Sequence, residues 1–282
     1  MAGSQGGGPR GRSSDAGRIR RDQPGLTKPR QELVYGRQPV RELLRARRRK
    51  VHALYLAQGM QTTGVLQESI RLAEEAGAAV ESIERDRLDA WLAGANHQGV
   101  ALAVDPYLYA SVDMVLARAR QRQEDPLLLL LDRVQDPQNL GTLLRTADAC
   151  GVHGVVIPRH RSAGVTPAVV SASAGAVEHL LVCEETNLVA TLKHLKAEGL
   201  WIAGLEAHPG AQPYDTVDLR GPLGIVVGSE GFGLGRLVTE TCDWLLELPM
   251  VGHIDSLNAA VAGSILLFHV MRLRATATKG DV

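Results

Sequence analysis

Cysteine is scarce in this chain, and what there is stands apart. Cys150, Cys183 and Cys242 are its three cysteines. They sit in apolar or helical surroundings with no CxxC or Cys/His spacing, which removes a disulfide framework and a structural zinc. No metal is expected, and the cytoplasm is the default compartment. Net charge is absent as well: 31 Lys and Arg balance 31 Asp and Glu, so this is not a uniformly basic nucleic-acid binder. The N-terminus lacks the apolar segment of a secretory signal. No apolar stretch reaches bilayer length, and the most apolar predicted helix, 257–271, carries Asn258, Ser264 and His269, so no membrane partner is expected. A dinucleotide fingerprint is also missing. Gly228, Gly231, Gly233 and Gly235 do not give GxGxxG spacing, and Glu230 among them would oppose a pyrophosphate.

What is present suffices for two small domains, since 45% of 282 residues are hydrophobic and a sizeable core can form. Residues 1–30 are rich in Gly, Ser and Arg and are expected to form a disordered basic tail, with Arg10, Arg12, Arg18, Arg20, Arg21, Lys28 and Arg30 against Asp15 and Asp22. A second cluster holds Arg45, Arg47, Arg48, Arg49 and Lys50. Basic charge concentrated near the N-terminus suits a region that meets phosphates, although the run 47–50 reads equally well as a solvated face.

Residues 31–106 alternate short helices and strands. Strands are expected at 51–57, around Val80 and at 100–104, with helices through Val40, Leu43 and Leu44 and over 64–76. His97 in this unit reads as structural or RNA-contacting rather than as a catalytic base. A partly helical linker, 107–125, leads to a second domain, 126–275, and a short tail, 276–282. In the second domain strands at 127–131, 154–158, 178–183, 200–205, 223–227 and 244–248 alternate with helices at 139–150, 166–175, 187–197, 234–241 and 256–272. Such alternation implies an α/β fold with a mainly parallel sheet covered on both faces. On the residues alone it is drawn as a doubly wound, Rossmann-like sheet, because knots are rare.

Three segments of the second domain carry polar residues that a plain core does not require. In LLLLLDRVQDPQNLGTLLRTADACG, from Leu127, a buried strand turns into a helix. Leu140, Leu143, Leu144 and Ala147 face the core, Asn139 stands where a cap belongs, and Arg145 falls on the polar face. In GIVVGSEGFGLG, from Gly224, a strand runs into a glycine-rich loop around Glu230. In LLELPMVGHIDSLNAA, from Leu245, a strand ends at Pro249 and a polar loop leads to Ser256, Leu257 and Asn258 at the start of a long apolar helix. Taken singly, each has an ordinary structural reading: a cap and a solvated Arg, or a β-to-α turn.

Together, in this order, the segments resemble the three signature motifs of the SpoU (TrmH) family of RNA ribose 2′-O-methyltransferases. DPxNxGxxxRxA is met over 136–147, GSEGxG over 228–233 and LPM…SLN over 248–258. The likeness extends from about Tyr35 to Arg274 and is strongest to the 23S rRNA guanosine type within the family. The resemblance implies a SPOUT-type, mainly parallel α/β sheet with a C-terminal trefoil knot, preceded by a small ribosomal-protein-like α/β domain that binds RNA. It implies S-adenosylmethionine as cofactor, with Gly228, Leu248 and Leu257 giving backbone contacts and Ser229, Gly231, Pro249 and Met250 lining the pocket. It also implies a homodimer through the C-terminal domain, whose last helix is apolar almost all round.

By the same resemblance the catalytic set is Asn139, Arg145, Glu230, Ser256 and Asn258. Arg145 would bind the RNA phosphate and orient the ribose hydroxyl, since a guanidinium holds its proton too tightly to be a good base. Asn139 would shape its loop, Glu230 and Asn258 would organise the site, and Ser256 would cap the last helix and face the substrate. Asp255 is an alternative cap, and relatives often carry smaller residues at His253 and Asp255. The expected substrate is a guanosine of 23S rRNA. A tRNA ribose methyltransferase of the same family, and a non-catalytic RNA-binding assembly factor, are the alternatives.

Overall fold

In a computed structural model, residues 20–21, 27–62, 64–253 and 256–277 are described. β1 (Arg20–Arg21), β2 (Glu32–Tyr35), β3 (Val51–Ala57), β4 (Ala79–Ile83) and β5 (Val100–Val104) make one sheet in the order β1-β4-β3-β5-β2. β1, β4 and β3 run parallel, and β5 runs antiparallel to β3 and β2. Most of the expected tail lies outside the described residues; Arg20 and Arg21, which are described, pair beside Glu81 and Ser82. The two-residue period of a strand sorts β3 between two cores. Leu54 and Leu56 face α1 (Arg37–Ala46) and α2 (Val65–Glu75), while Ala53 and Tyr55 face α3 (Arg85–Trp91), where Tyr55 meets Trp91 edge-on at 5.2 Å.

α4 (Val112–Arg122) follows, in the stretch read from sequence as a linker. It is built into the second sheet's core through Val112, Val115 and Leu116, with Ser111 as its cap. The second sheet contains β6 (Leu127–Asp132), β7 (Gly154–Pro158), β8 (Val182–Glu185), β9 (Trp201–Leu205), β10 (Gln212–Pro213), β11 (Leu223–Gly228) and β12 (Trp244–Glu247), in the order β10-β12-β9-β11-β6-β7-β8. Every pairing in it is parallel. β6 is buried along its whole length, as a central strand of such a sheet must be. Its Leu127, Leu129 and Leu131 belong to the core under α5 (Pro137–Ala149), α6 (Pro167–Ala172) and α9 (Ala259–Ala277). Leu128 and Leu130 belong to the core under α4, α7 (Leu188–Ala197) and α8 (Arg236–Thr241).

Three local expectations are corrected. The strand expected at 178–183 is a 3-10 turn, Ala176–His179, followed by β8. The cause is nonlocal: Glu178 is buried in an ion pair with Arg49 at 3.0 Å. The basic cluster 45–50 is therefore not a free phosphate-binding run. Arg45 pairs with Glu68 and Glu42, Arg47 with Glu75, and Arg49 with Glu32 as well as Glu178. Arg48 donates to the Leu180 and Glu178 carbonyls and lies 5.6 Å from the Tyr107 ring centre. Lys50 alone of the run stays exposed without a partner among the described residues.

The last helix is longer than expected. Its Ala259–Thr276 stretch is apolar enough, by length and composition alone, to cross a membrane, yet it packs against α5 with Leu266, Leu267 and Val270 in the core.

The two sheets share one core. Val34, Val40, Leu43 and Leu44 of the first unit join Val165, Val169, Val170 and Val177 of the second in a single apolar cluster, and α6 packs on β2. Arg49 locks this junction. Its side chain, like that of Glu178, is 1% exposed, and it also donates to the Asp105 carbonyl at 2.8 Å. Burial pushes the Glu178 carboxyl up, while Arg49 pulls it back. His97 is buried and structural: its Nε2 meets Asp89 at 2.7 Å and its Nδ1 accepts from the Gly99 N–H at 3.0 Å. Burial also raises the Cys150 thiol to about 11 and those of Cys183 and Cys242 to about 12, which makes them poor nucleophiles.

Candidate active site

In a parallel sheet all strands end at one edge, so the loops after β6, β11 and β12 are brought together there. β11 ends in Gly228, and residues 229–233 fold back on themselves. The Gly233 N–H donates to the Ser229 carbonyl at 3.0 Å and the Ser229 N–H to the Gly233 carbonyl at 3.3 Å. Two glycines suit this turn. A Cβ on Gly228 would lie 2.4 Å from the Gly233 carbonyl group, and Gly233 holds φ +58 with Glu206 Oε1 2.3 Å from its would-be Cβ. Two buried-edge carboxylates then fix the loop's exit. Glu206 accepts from the Leu234 N–H and Asp132, at the end of β6, accepts from the Gly235 N–H, both at 2.6 Å.

A cavity of about 820 Å³ opens over this loop. All seven residues assigned to the cofactor line it, Gly228, Ser229, Gly231, Leu248, Pro249, Met250 and Leu257, together with Glu230, Ser256 and Asn258 of the catalytic set. Asn139 joins through a hydrogen bond. The Asn258 Nδ2 donates to Asn139 Oδ1 at 2.9 Å and also to Glu230 Oε1. One amide thus ties the three sequence motifs into a single constellation. Arg145 is not among the lining residues. It lies on α5, six residues and about 9 Å of helical rise beyond Asn139, exposed and without an ion-pair or hydrogen-bond partner among the described residues.

Both expected caps are displaced. α5 starts at Pro137, whose locked φ suits a first helical position, and Asp136 caps it by accepting from the Gln138 N–H at 3.0 Å. Asn139 is thereby freed inside the first turn to face Asn258. At the other helix it is Asn258, not Ser256, that caps: its Oδ1 accepts from the N–H groups of Ala260 at 2.9 Å and Val261 at 3.1 Å. Ser256 remains exposed on the cavity wall. His253 is exposed, and Asp255 lies outside the described residues.

Sequence reasoning missed the cavity's other carboxylates, Glu206 and Glu247. Their signal is positional, since each stands at or next to the C-terminal end of a strand, β9 and β12. The segment 207–213 supplies Ala207 to the wall and pairs Gln212 and Pro213 with Leu246 and Glu247. With Glu206, Glu230 and Glu247 and no Lys, Arg or His in its lining, the cavity repels phosphates and suits a cation. Leu205, Val227, Leu246, Leu248, Met250 and Leu257 add apolar surface for a flat ring. The residues present therefore fit S-adenosylmethionine, a sulfonium with an adenosine body. Among the described residues no group of three or more His, Cys, Asp or Glu could hold a metal.

Known proteins resemble this chain in both of its units. The SpoU rRNA Methylase family profile matches residues 126–268, and that for RNA 2′-O ribose methyltransferase substrate binding matches residues 33–110. A Bacillus subtilis (strain 168) protein assigned to the TrmH family of tRNA/rRNA methyltransferases, YacO, is 42% identical over 243 residues, 86% of this chain and 96% of its own length. The SpoU methyltransferase AviRb from Streptomyces viridochromogenes, crystallised with AdoMet, superposes with a TM-score of 0.72 at 24% identity, covering 86% of this chain and 90% of that one. An AdoMet-bound rRNA methyltransferase from Sinorhizobium meliloti gives 0.71, again at 24% identity, over 86% and 87%.

Proposed function

Since the chain belongs to the SpoU rRNA methylase family and is an S-adenosylmethionine-dependent RNA methyltransferase, we propose that its acceptor is the ribose 2′-hydroxyl of a guanosine in 23S rRNA. The observation that carries this reading is the extra N-terminal unit, matched to RNA substrate binding over 33–110 and locked onto the catalytic sheet by Arg49. A rigid second unit suits a large folded RNA. The S. meliloti neighbour is named an rRNA methyltransferase, which favours the same class.

When bound, the cofactor supplies an electrophilic methyl group, so the protein's main task is placement of the acceptor oxygen. Gly228, Ser229, Gly231, Leu248, Pro249, Met250 and Leu257 hold the cofactor. Asn258 keeps the loops of Asn139 and Glu230 in register, which fixes the cavity mouth. Ser256 faces the acceptor from the wall. Arg145, with no partner among the described residues, binds an RNA phosphate and orients the hydroxyl.

The reading extends to the C-terminal trefoil knot and the homodimer. β11 lies between β9 and β6, β12 lies beyond β9, and the chain then returns through 248–258 to α9 against α5; that path supports a knot. Val261, Ile265 and Phe268 form an exposed apolar stripe on α9, Phe268 at 46%, which supports a second copy as its cover. We place the activity in the cytoplasm. The test is to map 2′-O-methyl sites in 23S rRNA and tRNA from cells with and without the gene. Loss of one 23S guanosine methylation is expected; loss confined to tRNA would overturn the substrate assignment.

A further inference from the structure

The acidic cavity and the consumed 45–50 cluster leave few cations, beyond Arg145, for the phosphates of the strand that enters the site. The loop after β7, Arg159-His160-Arg161-Ser162, supplies others. β7 pairs with β6 and β6 with β11, so this loop stands at the same sheet edge as the glycine loop. Two strand spacings, roughly 10 Å, separate them. Arg159 is engaged with Glu184 at 3.0 Å. His160 and Arg161 are exposed, and no carboxylate reaches either among the described residues.

Arg161 also holds φ +59, a conformation unfavourable for a side-chain-bearing residue and maintained only where surroundings impose it. Those surroundings are visible. The Ser162 hydroxyl and the Ala163 N–H both donate to the Val134 carbonyl, at 3.0 and 2.9 Å, and Gln135 Nε2 reaches the Arg161 carbonyl at 3.5 Å. Val134 and Gln135 immediately precede the cap of α5, so the loop is tied to the turn that positions Asn139. Its far end is tied to Tyr109, whose hydroxyl accepts from the Val165 N–H at 3.0 Å. Tyr109 belongs to the segment joining the two units; the residue is 39% exposed, and its ring meets Tyr107 edge-on at 5.4 Å.

Resting on the reading of the protein as an RNA methyltransferase, we propose that this loop and Tyr109 form a contact site for RNA flanking the modified nucleotide. Arg161 and His160 hold one backbone phosphate, and the Tyr109 ring stacks an unpaired base. An arginine and an imidazole donor beside an exposed aromatic is a combination that suits a single-stranded RNA segment. An arginine pinned in a left-handed turn presents its guanidinium without first ordering the loop, which is the gain that preorganisation brings. The site makes the 159–164 loop an RNA-positioning element between the substrate unit and the cofactor cavity.

The test uses the full-length protein and a 23S rRNA transcript. Binding is measured by filter retention over a KCl series, and S-adenosylmethionine binding by calorimetry. Arg161→Ala should weaken RNA binding about tenfold and lower the salt slope by roughly 0.7, one phosphate contact to a single strand, with cofactor affinity unchanged. Tyr109→Leu should weaken RNA binding at an unaltered salt slope. Tyr109→Phe, which keeps the ring and loses the loop tie, should retain more affinity than Tyr109→Leu. RNA affinity and salt slope that are unmoved by Arg161→Ala, or Phe and Leu losing equally at position 109, overturn the proposal. Wild-type protein that binds the cofactor but neither binds nor methylates RNA would instead sink the function on which it rests.

Discussion

Asn258→Ser separates two tasks that one side chain performs. The Asn258 Oδ1 caps α9 through Ala260 and Val261, while its Nδ2 bridges Asn139 and Glu230. Serine is as good a cap as asparagine but has no amide to span both partners. Asn258→Ala loses cap and bridge together. The cap is worth about 1 kcal/mol, roughly 2–4 °C in Tm for a chain of this size. The bridge comprises one neutral and one charge-assisted hydrogen bond at an exposed position, so about 1–2 kcal/mol is a fair sum. That corresponds to roughly 5–30-fold in methyl transfer or cofactor affinity. The serine variant should therefore melt close to wild type yet lose most of this activity, whereas the alanine variant should lose both. Thermal melts by circular dichroism and initial rates with labelled cofactor check this. A serine variant at wild-type rate would refute the bridge, and equal Tm losses in the two variants would refute the cap.

Arg145→Ala should abolish methyl transfer while S-adenosylmethionine affinity, measured by calorimetry, stays within about threefold; parallel loss of cofactor binding would move Arg145 into the cofactor pocket. Gly228→Ala places a Cβ 2.4 Å from the Gly233 backbone and should cost about 1.4 kcal/mol or more of cofactor binding, about tenfold, with the far-ultraviolet spectrum retained. Unchanged affinity would show that the loop can move aside. Arg49→Met strands the Glu178 carboxylate in the core and should cost about 3–5 kcal/mol in urea unfolding, most of it recovered when Glu178→Leu is added. A cost below about 1 kcal/mol in the single variant would contradict the buried pairing.

How much of this was legible in the sequence depends on how local each cause is. Strands β3, β5 and β7 fall where the residues place them, because burial on both faces writes a continuous apolar run bounded by turns. The cavity lining was legible for a different reason. Gly228, Glu230 and Pro249 stand at or just past strand ends and Asn258 at the start of α9, and a family pattern preserves their order. What failed was partnership across long separations. Arg48 and Arg49 read as solvent-facing cations because Glu178 and the Leu180 carbonyl are about 130 residues away. The same pairing turned an expected strand at 178 into a 3-10 turn. The caps misplaced at Asn139 and Ser256 have a related cause: each position offers several side chains able to cap, and only packing of α5 against α9 decides which does. His160 and Arg161 gave no sequence signal, since a left-handed φ is set by the loop's ties to Val134 and Tyr109.

The core shared by the two sheets has a consequence for how such a protein can be taken apart. Val34, Val40 and Leu43 cover Val165, Val169 and Val177, so removing the first unit uncovers a greasy face on the second and leaves Glu178 without its counter-ion. The halves are distinct as profiles yet inseparable as matter, and they should melt in one cooperative step. Substrate choice therefore cannot be swapped among relatives by exchanging residues 33–110 alone. A graft that respects the seam must bring α6 and the 3-10 turn with it, because that is where one unit ends energetically and the other begins.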